Sequence, residues 1–182
     1  MEKVINFAQN LIARATTRLD ATVDCTMGKG KDTLFLSTFS RKVYSFDIQD
    51  AAIKQTKELL NKNGVTNVEI IKDSHVNIRQ YVQEYVTGVI FNLGYLPDGD
   101  KNITTIAEDS LNAILESLKL LKIGGVCCVV VYPGHPEGAR ESELLEAELR
   151  KLDQKKFNCL KYDFINWKNK PAYLIAIEKI KE

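Results

Sequence analysis

Short apolar runs alternate with helical patterns along most of the chain. Seven runs are typical of strands, and they cover residues 21–25, 42–47, 68–72, 87–93, 126–132, 159–165 and 172–180. The spacing of apolar positions predicts a helix after each of the first five, at about 31–40, 50–63, 75–86, 105–122 and 138–155. A further amphipathic helix opens the chain. Such alternation predicts an α/β fold, a parallel sheet with helices on both faces.

The pattern changes near the C-terminal end. The last two runs, CLKYDFI and AYLIAIEKI, are separated only by NWKNKP. That connection is too short for a crossover helix, so the two runs should form an antiparallel hairpin. The last strand should then be antiparallel in an otherwise parallel sheet. The length of 182 residues favours a single domain, which would cover residues 1–182.

Composition limits the classes of function. The chain has 25 basic and 24 acidic residues and a net charge of +1, so a nucleic-acid partner would need a local basic face. Four cysteines without Cys-x-x-Cys spacing favour core thiols in a cytosolic protein. No apolar run approaches the length of a membrane span. We therefore expect a cytoplasmic protein with neither a membrane segment nor a metal site.

The glycine-rich stretch VDCTMGKGKDTLFL follows the first strand and opens the next helix. Gly28 and Gly30 allow a tight turn at which backbone amides can approach a ligand. A dinucleotide fingerprint needs a third glycine where this chain has Thr33, so that match is weak. The carboxylate of Asp24 would repel a phosphate and suits a cationic ligand instead. S-adenosylmethionine, which carries an ammonium and a sulfonium but no phosphate, fits this requirement.

Carboxylates also follow the second and third strands. Asp47 can accept both hydroxyls of a ribose, in NAD or in S-adenosylmethionine equally. Asp73 or Ser74 could reach an adenine edge, although Asp73 could equally cap a helix. An NAD-dependent oxidoreductase remains an alternative, disfavoured by Thr33 and Asp24. A non-catalytic RNA-binding module is a second alternative.

Ordered sequence blocks carry a family resemblance over nearly the whole chain. They are DCTMGKGKDTLFL at 24–36, FDIQ at 46–49, SH at 74–75, FNLGYLPDGDK at 91–101 and YPGHPEGARE at 132–141. The chain resembles the Rossmann-like, S-adenosylmethionine-dependent methyltransferases of the rRNA methylase family. Its members include bacterial enzymes that methylate 5-aminomethyl-2-thiouridine at the tRNA wobble position, position 34. Cys25, Lys29 and Lys31 depart from the family's first block.

The resemblance implies a class I methyltransferase fold with a seven-stranded sheet, the last strand antiparallel, and S-adenosylmethionine as the methyl donor. It also implies a set of cofactor-binding positions. These are Asp24, Thr26, Gly28, Lys29, Gly30, Asp32, Thr33, Asp47, Gln49, Asp73, Ser74, His75, Asn92, Leu93 and Gly94.

The block at 91–101 is similar to the Asn-Pro-Pro-Tyr segment with which amino-methyltransferases hold the attacking nitrogen. We expect Asn92 to accept a hydrogen bond from the acceptor amine and Tyr95 to flank the pyrimidine. Asp100, His135 and Glu141 are candidate proton acceptors, and the sequence does not choose among them. His135 could equally be a loop residue bonded to the backbone.

A wobble base lies in the single-stranded anticodon loop, where a protein can extract and bind it at low cost. Four basic side chains in the expected pocket loops are candidates for contacts with tRNA phosphates: Lys29, Lys31, Lys101 and Arg140. Lys168 and Lys170 are weaker candidates. Ribosomal RNA, DNA or a small amine remain alternative acceptors, and the hairpin edge and last helix could support a homodimer.

Overall fold

The structure is a computed structural model that describes residues 1–94 and 106–182. Its helices are α1 (Val4–Ala15), α2 (Lys31–Ser37), α3 (Asp50–Lys62), α4 (Ile78–Tyr81), α5 (Ala107–Leu120) and α6 (Pro136–Leu149). Its strands are β1 (Ala21–Asp24), β2 (Lys42–Asp47), β3 (Val68–Lys72), β4 (Val86–Asn92), β5 (Leu121–Val131), β6 (Phe157–Tyr162) and β7 (Tyr173–Lys179). A short 3₁₀ turn, His75–Asn77, precedes α4.

The seven strands form one sheet in the order β3-β2-β1-β4-β5-β7-β6. Six strands run parallel, and β7 is antiparallel to both of its neighbours. The predicted parallel sheet with an antiparallel last strand is therefore confirmed. Strand order reverses at β1, between β2 and β4, and such a switch point opens a crevice at the carboxyl ends of the strands.

Several elements differ from the sequence expectation. Helix α6, expected to extend to residue 155, ends at Leu149, and β5 begins at Leu121, five residues earlier than expected. The helix expected over 75–86 is a 3₁₀ turn followed by the single turn of α4. The chain extends at Val82, which is 1% exposed, because it must return to the core before β4 begins. Likewise α5 ends at Leu120, since Leu121 is fully buried and already pairs with Val86 at the start of β5.

Apolar side chains pack on both faces of the sheet. One cluster joins the sheet to α4, α5 and α6 through residues such as Ile78, Ile114 and Leu145. The other joins it to α1 and α2 through Ile12 and Leu36. Within the described residues, no helix is both long enough and apolar enough to cross a membrane.

Helix α1 packs directly on the backbone of β4 at Gly88. A Cβ atom at Gly88 would lie 2.2 Å from Cγ2 of Ile12, which is fully buried. We expect Gly88→Ala to lower the free energy of unfolding by about 1–3 kcal/mol, because the added methyl group would overpack the core at this position. Thermal denaturation should detect this as a melting temperature lower by roughly 2–4 °C per kcal/mol.

A double-mutant cycle with Ile12→Ala identifies the contact responsible. Ile12→Ala alone leaves a cavity, whereas in the double variant the added Cβ occupies part of it. The double variant should therefore lose less stability than the sum of the single variants. Additive losses would show that Ile12 is not what excludes a side chain at Gly88.

Candidate active site

The turn between β1 and α2 is held in one conformation by its neighbours. Gly28 and Gly30 have φ angles of 51° and 76°. A Cβ at Gly30 would also lie 2.7 Å from Oγ1 of Thr56. The Gly28 amide donates to Asp47 Oδ2 at 2.9 Å, and its carbonyl accepts from the Thr56 hydroxyl at 3.2 Å. The turn is thus fixed to the end of β2 and to α3.

A pocket of about 630 Å³ opens at the carboxyl ends of the parallel strands. Its volume lies within the usual range of ligand pockets. Many predicted site residues line it: Thr26, Gly28, Lys29, Lys31, Asp32, Asp47, Gln49, Asp73, Ser74, His75, Asn92, Leu93, Gly94 and His135. Residues outside the main predicted sets also line it: Cys25, Met27, Phe46, Ile48, Ile106, Asp109, Tyr132, Gly134, Lys170 and Ala172.

Asp24, Gly30 and Thr33 do not line this pocket. Asp24 has no exposed surface. Its carboxylate accepts hydrogen bonds from the Thr26 amide at 3.1 Å and the Thr33 hydroxyl at 2.6 Å. Burial, together with the nearby charge of Asp32, raises the pKa of Asp24 to about 7. Asp24 therefore supports the turn from beneath.

Asp47 lies at the pocket wall, at the end of β2. Its Oδ2 accepts the Gly28 amide and its Oδ1 accepts the Gln49 amide, both at 2.9 Å. Each carboxylate oxygen has more than one acceptor site. Both oxygens can therefore accept a further hydrogen bond from a ligand.

The end of β3 contributes a compact polar group. The Asp73 carboxylate accepts from Asn77 Nδ2 at 3.1 Å and from the Tyr81 hydroxyl at 2.8 Å, and chiefly the Tyr81 bond lowers the Asp73 pKa. Ser74 caps the 3₁₀ turn, its Oγ accepting the Val76 amide at 3.3 Å. The cap of this turn is therefore Ser74 and not Asp73, and both residues also line the pocket.

His75 is a mostly buried pocket residue. Its Nδ1 lies 2.9 Å from the Cys25 carbonyl, to which an N–H at that position donates. Its ring meets Phe91 edge to face, with centroids 5.6 Å apart. Burial lowers the pKa of His75 and favours the neutral ring. This histidine is positioned to link the turn after β1 to the end of β3.

Asn92 stands at the end of β4 within a hydrogen-bond chain. Its amide Nδ2 donates to Asp32 Oδ2 at 3.3 Å, and its Oδ1 accepts the Tyr132 hydroxyl at 2.8 Å. The other Asp32 oxygen accepts from Gln9 Nε2 at 2.7 Å. Because both ends of the amide have partners, its oxygen is turned toward Tyr132, with one lone pair still available.

His135 serves as the N-cap of α6. Its Nδ1 accepts the Gly138 amide at 3.1 Å and lies 3.4 Å from Glu137 Oε2. The alternative of a loop histidine bonded to the backbone is therefore present in the structure, although the side chain also reaches the pocket. Glu141 does not line the pocket; it is 4% exposed and accepts the Ser110 hydroxyl at 2.7 Å.

The remaining predicted residues separate into two cases. Arg140 does not line the pocket; it pairs with Glu108 at 2.5 Å and joins α6 to α5. Tyr95, Asp100 and Lys101 lie outside the described residues. Among residues 1–94 and 106–182, no group of three or more His, Cys, Asp or Glu side chains could hold a metal ion.

Sequence reasoning missed two residues of the hydrogen-bond chain around Asn92: Tyr132, which bonds Asn92 directly, and Gln9, which bonds Asp32. Tyr132 directly follows β5, and its place after a parallel strand was the available signal. Gln9 gave no such signal, because it lies in α1, more than 80 residues before Asn92, and reaches the site only through tertiary packing with Asp32.

Comparison with known proteins agrees with this architecture. The family model described as "Putative rRNA methylase" matches residues 43–178. The "tRNA (mnm(5)s(2)U34)-methyltransferase, chloroplastic" of Arabidopsis thaliana is 34% identical over 174 residues, 88% of this chain. The match spans 64% of the length of that relative.

Two solved structures are similar over almost their whole length. A "putative rRNA-methylase" from Clostridium thermocellum has 38% identity and a TM-score of 0.96, covering 99% of each chain. A "putative methyltransferase" from Streptococcus mutans, in complex with SAH, has 35% identity and a TM-score of 0.93, covering 98% of this chain and 99% of that one. With a family model that matches about three quarters of its residues, the chain belongs to the rRNA methylase family.

Proposed function

We propose that the protein is an S-adenosylmethionine-dependent methyltransferase acting on RNA. The acceptor is the aminomethyl nitrogen of 5-aminomethyl-2-thiouridine at tRNA wobble position 34, and the product is the methylaminomethyl nucleoside. One observation carries the proposal: a single pocket is lined both by Asp47, at the end of β2, and by Asn92, at the end of β4. One cavity thus holds a hydrogen-bond acceptor for the ribose of the cofactor and a hydrogen-bond acceptor for the amine that is to be methylated.

The pocket chemistry fits a cationic cofactor without phosphate. Four carboxylates line it, from Asp32, Asp47, Asp73 and Asp109. Asp24, buried beneath, adds a further acidic group that acts through its field rather than by contact. Lys29, Lys31 and Lys170 also line the pocket, so the acidic surplus is small. The carboxylates next to the glycine turn, Asp24 and Asp32, are what favour an ammonium and a sulfonium over the pyrophosphate of NAD.

Asp47 would hold the ribose hydroxyls, while Thr26, Gly28 and Asp32 would surround the amino-acid part of the cofactor. The cofactor supplies an electrophilic methyl group bound to sulfur. Beside it, the available lone pair of Asn92 Oδ1 accepts a hydrogen bond from the acceptor amine and directs the nitrogen lone pair. Placement of this kind contributes most of the rate enhancement when the leaving group does not have to be protonated by an acid.

The aminomethyl group is mainly an ammonium at neutral pH and must lose a proton before it attacks. Tyr132 lies where the pocket meets solvent, being 39% exposed. We assign the departing proton to water at this opening. Tyr132 keeps its own proton, since burial and the charge of Asp32 raise its pKa.

Support for a tRNA acceptor comes from the Arabidopsis relative, whose name specifies U34 of tRNA. The family description names rRNA, which makes ribosomal RNA the second candidate acceptor. Lys29, Lys31 and Lys170 line the pocket and would contact RNA phosphates. Arg140 is proposed as a more distant contact, because it does not line the pocket.

Two measurements test the function in sequence. Stabilisation in a thermal-shift titration by S-adenosylmethionine or SAH, and not by NAD, is the expected result. Nucleoside mass spectrometry of tRNA from a strain lacking the protein should then reveal the unmethylated aminomethyl nucleoside. An unchanged tRNA profile with a methyl group missing from rRNA would favour the second acceptor instead.

Replacing Asp47 by asparagine should weaken cofactor binding by about tenfold. The amide would turn an NH₂ group toward either the Gly28 or the Gln49 amide and would lose an acceptor for the ribose. The loss of one hydrogen bond to a charged group corresponds to this factor. Isothermal titration with SAH measures it. Asp50→Asn is a matched control, because its exposed carboxylate pairs with Lys72 and does not line the pocket. Equal SAH affinity of wild type and Asp47→Asn would remove Asp47 from the cofactor site.

A further inference from the structure

The loop between β6 and β7 lies at the same edge of the sheet as the pocket. β6 runs parallel to β5 and ends at Tyr162, and β7 returns antiparallel from Tyr173. Residues 163–172 must therefore connect the two strands at the carboxyl edge of the sheet. Lys170 and Ala172, near the end of this loop, line the pocket.

An aromatic ladder holds the loop in shape. Trp167 stacks on Phe164, with ring centroids 4.4 Å apart and planes inclined by 12°. Phe164 meets Tyr162 edge to face at 5.4 Å, and Tyr162 contacts Phe7 of α1 at 4.4 Å. The Trp167 amide also donates to the Phe164 carbonyl at 3.0 Å. The indole is thus anchored through the ladder to α1.

The backbone after Trp167 is strained. Asn169 and Lys170 are consecutive residues with φ angles of 66° and 46°. Left-handed conformations are unfavourable for residues with a Cβ and persist where the surrounding structure supports them, often at functional sites. In this conformation the chain brings Lys170 to the pocket, close to Gly134.

The surface that this loop presents is aromatic and basic. Trp167 keeps 54% of its surface exposed although it stacks on Phe164. Residues 165–170, INWKNK, contain two lysines and no carboxylate. An apolar protein partner would not require these cations, whereas an unpaired nucleotide offers a flat base for the indole and a phosphate for each lysine.

We propose that Trp167 is a stacking platform for an unpaired nucleotide next to the one that enters the pocket, with Lys168 and Lys170 contacting the adjacent phosphates. This inference rests on the proposed function, since it requires an RNA substrate. It extends that function by naming a recognition surface outside the pocket. Recognition by stacking selects single-stranded RNA over a duplex, whose bases are already stacked.

The test uses the intrinsic fluorescence of the protein, because Trp167 is the only tryptophan in the chain. A synthetic anticodon stem-loop RNA should quench its emission in a saturable way, and an RNA duplex of equal length should not. Trp167→Ala should weaken stem-loop binding, measured by fluorescence anisotropy of labelled RNA, by about 5- to 150-fold. Its affinity for SAH should be unchanged, and Trp167→Phe should restore most of the RNA affinity.

Tyr85→Ala is a matched control. Tyr85 is an aromatic side chain of similar exposure, 60%, but it precedes β4 and so lies at the opposite edge of the sheet. The Tyr85→Ala variant should bind RNA with the same affinity as the wild type. Melting temperatures of all the variants verify that each protein still folds.

Several results would overturn the platform. If the stem-loop binds without quenching and Trp167→Ala binds equally well, the platform is wrong and the proposed function stands. Equal quenching by the duplex would exclude recognition of an unpaired base. Emission that changes with protein concentration alone would mean that a second copy of the chain covers the indole. If the wild type binds none of these RNAs, the platform and the proposed RNA substrate are both wrong.

Discussion

Replacing Asn92 by alanine is expected to lower kcat for methyl transfer by roughly 10²- to 10³-fold, the range seen when a positioned polar group at a reacting centre is removed. The Kd for S-adenosylmethionine should stay within about threefold, since Asp47 and the glycine turn are untouched. The assay is steady-state transfer of a labelled methyl group to tRNA that carries the unmethylated aminomethyl nucleoside, with single-turnover transfer to isolate the chemical step.

The physical reason lies in the orientation of the Asn92 side chain. Its Nδ2 is fixed by Asp32 and its Oδ1 by the Tyr132 hydroxyl, so the oxygen needs little reorganisation to accept the amine. Alanine removes this acceptor but keeps the hydrogen bond that the backbone N–H of residue 92 donates to Thr26 Oγ1 at 2.7 Å. The pocket should therefore remain formed.

Tyr132→Phe tests whether the hydrogen bond from Tyr132 must orient the Asn92 side chain, or whether the polar side chain of Asn92 is enough by itself. This variant deletes the donor to Asn92 Oδ1 and retains the ring. It should reduce kcat by a smaller factor, about tenfold, with unchanged cofactor affinity. An unaltered kcat in Asn92→Ala, in protein with a normal melting temperature, would exclude Asn92 from the mechanism.

The sheet could be predicted because its strands are marked locally. Buried β-branched runs, the short link between the last two strands and the paired glycines are all visible within a few residues. The end of α5 was harder to predict. The apolar stripe of this helix continues into Leu121, and only pairing of Leu121 with Val86, 35 residues earlier, starts β5 there.

The candidate site shows the same division between local and tertiary information. Strand-end positions such as Asp47 and Asn92 were found because carboxyl ends of parallel strands meet at one edge. Burial of Asp24 could not be predicted, since its position at a strand end fits both a pocket contact and a buried support. Its hydrogen bond to Thr33 and its neighbour Asp32 exist only once α2 packs over β1.

Replacing Asp24 by asparagine is expected to stabilise the protein above pH 7. Burial and the charge of Asp32 raise the pKa of Asp24 from 3.8 to about 7. The folded state thus binds this proton more tightly than the unfolded state. The resulting contribution to stability is complete below about pH 3.8 and is lost as the pH rises through about 7. Ionised Asp24 should therefore cost on the order of a few kcal/mol above pH 7.

Asparagine can keep the local hydrogen bonds while removing the charge. Its oxygen can accept the Thr26 amide, and its NH₂ group can donate to the Thr33 hydroxyl, which lies 2.7 Å from Ser45 Oγ and can donate there. The melting temperature of Asp24→Asn should exceed that of the wild type by roughly 5–10 °C at pH 8. This difference should shrink toward zero as the pH falls from 7 to 4.

The same substitution should weaken binding of a cationic cofactor. In the wild type, S-adenosylmethionine favours the ionised form of Asp24, so its affinity should rise with pH through about 7; in Asp24→Asn this rise should disappear. Thermal denaturation and isothermal titration across pH 5–8 measure both effects. Thr33→Val is a useful comparison, because it removes the hydroxyl donor to Asp24 but keeps the carboxylate. Two results would mean that ionisation of Asp24 does not oppose folding. In one, Asp24→Asn is less stable than the wild type at pH 8; in the other, it is more stable than the wild type by the same amount at every pH. Cofactor affinity that rises with pH in Asp24→Asn as it does in the wild type would assign that titration to another group.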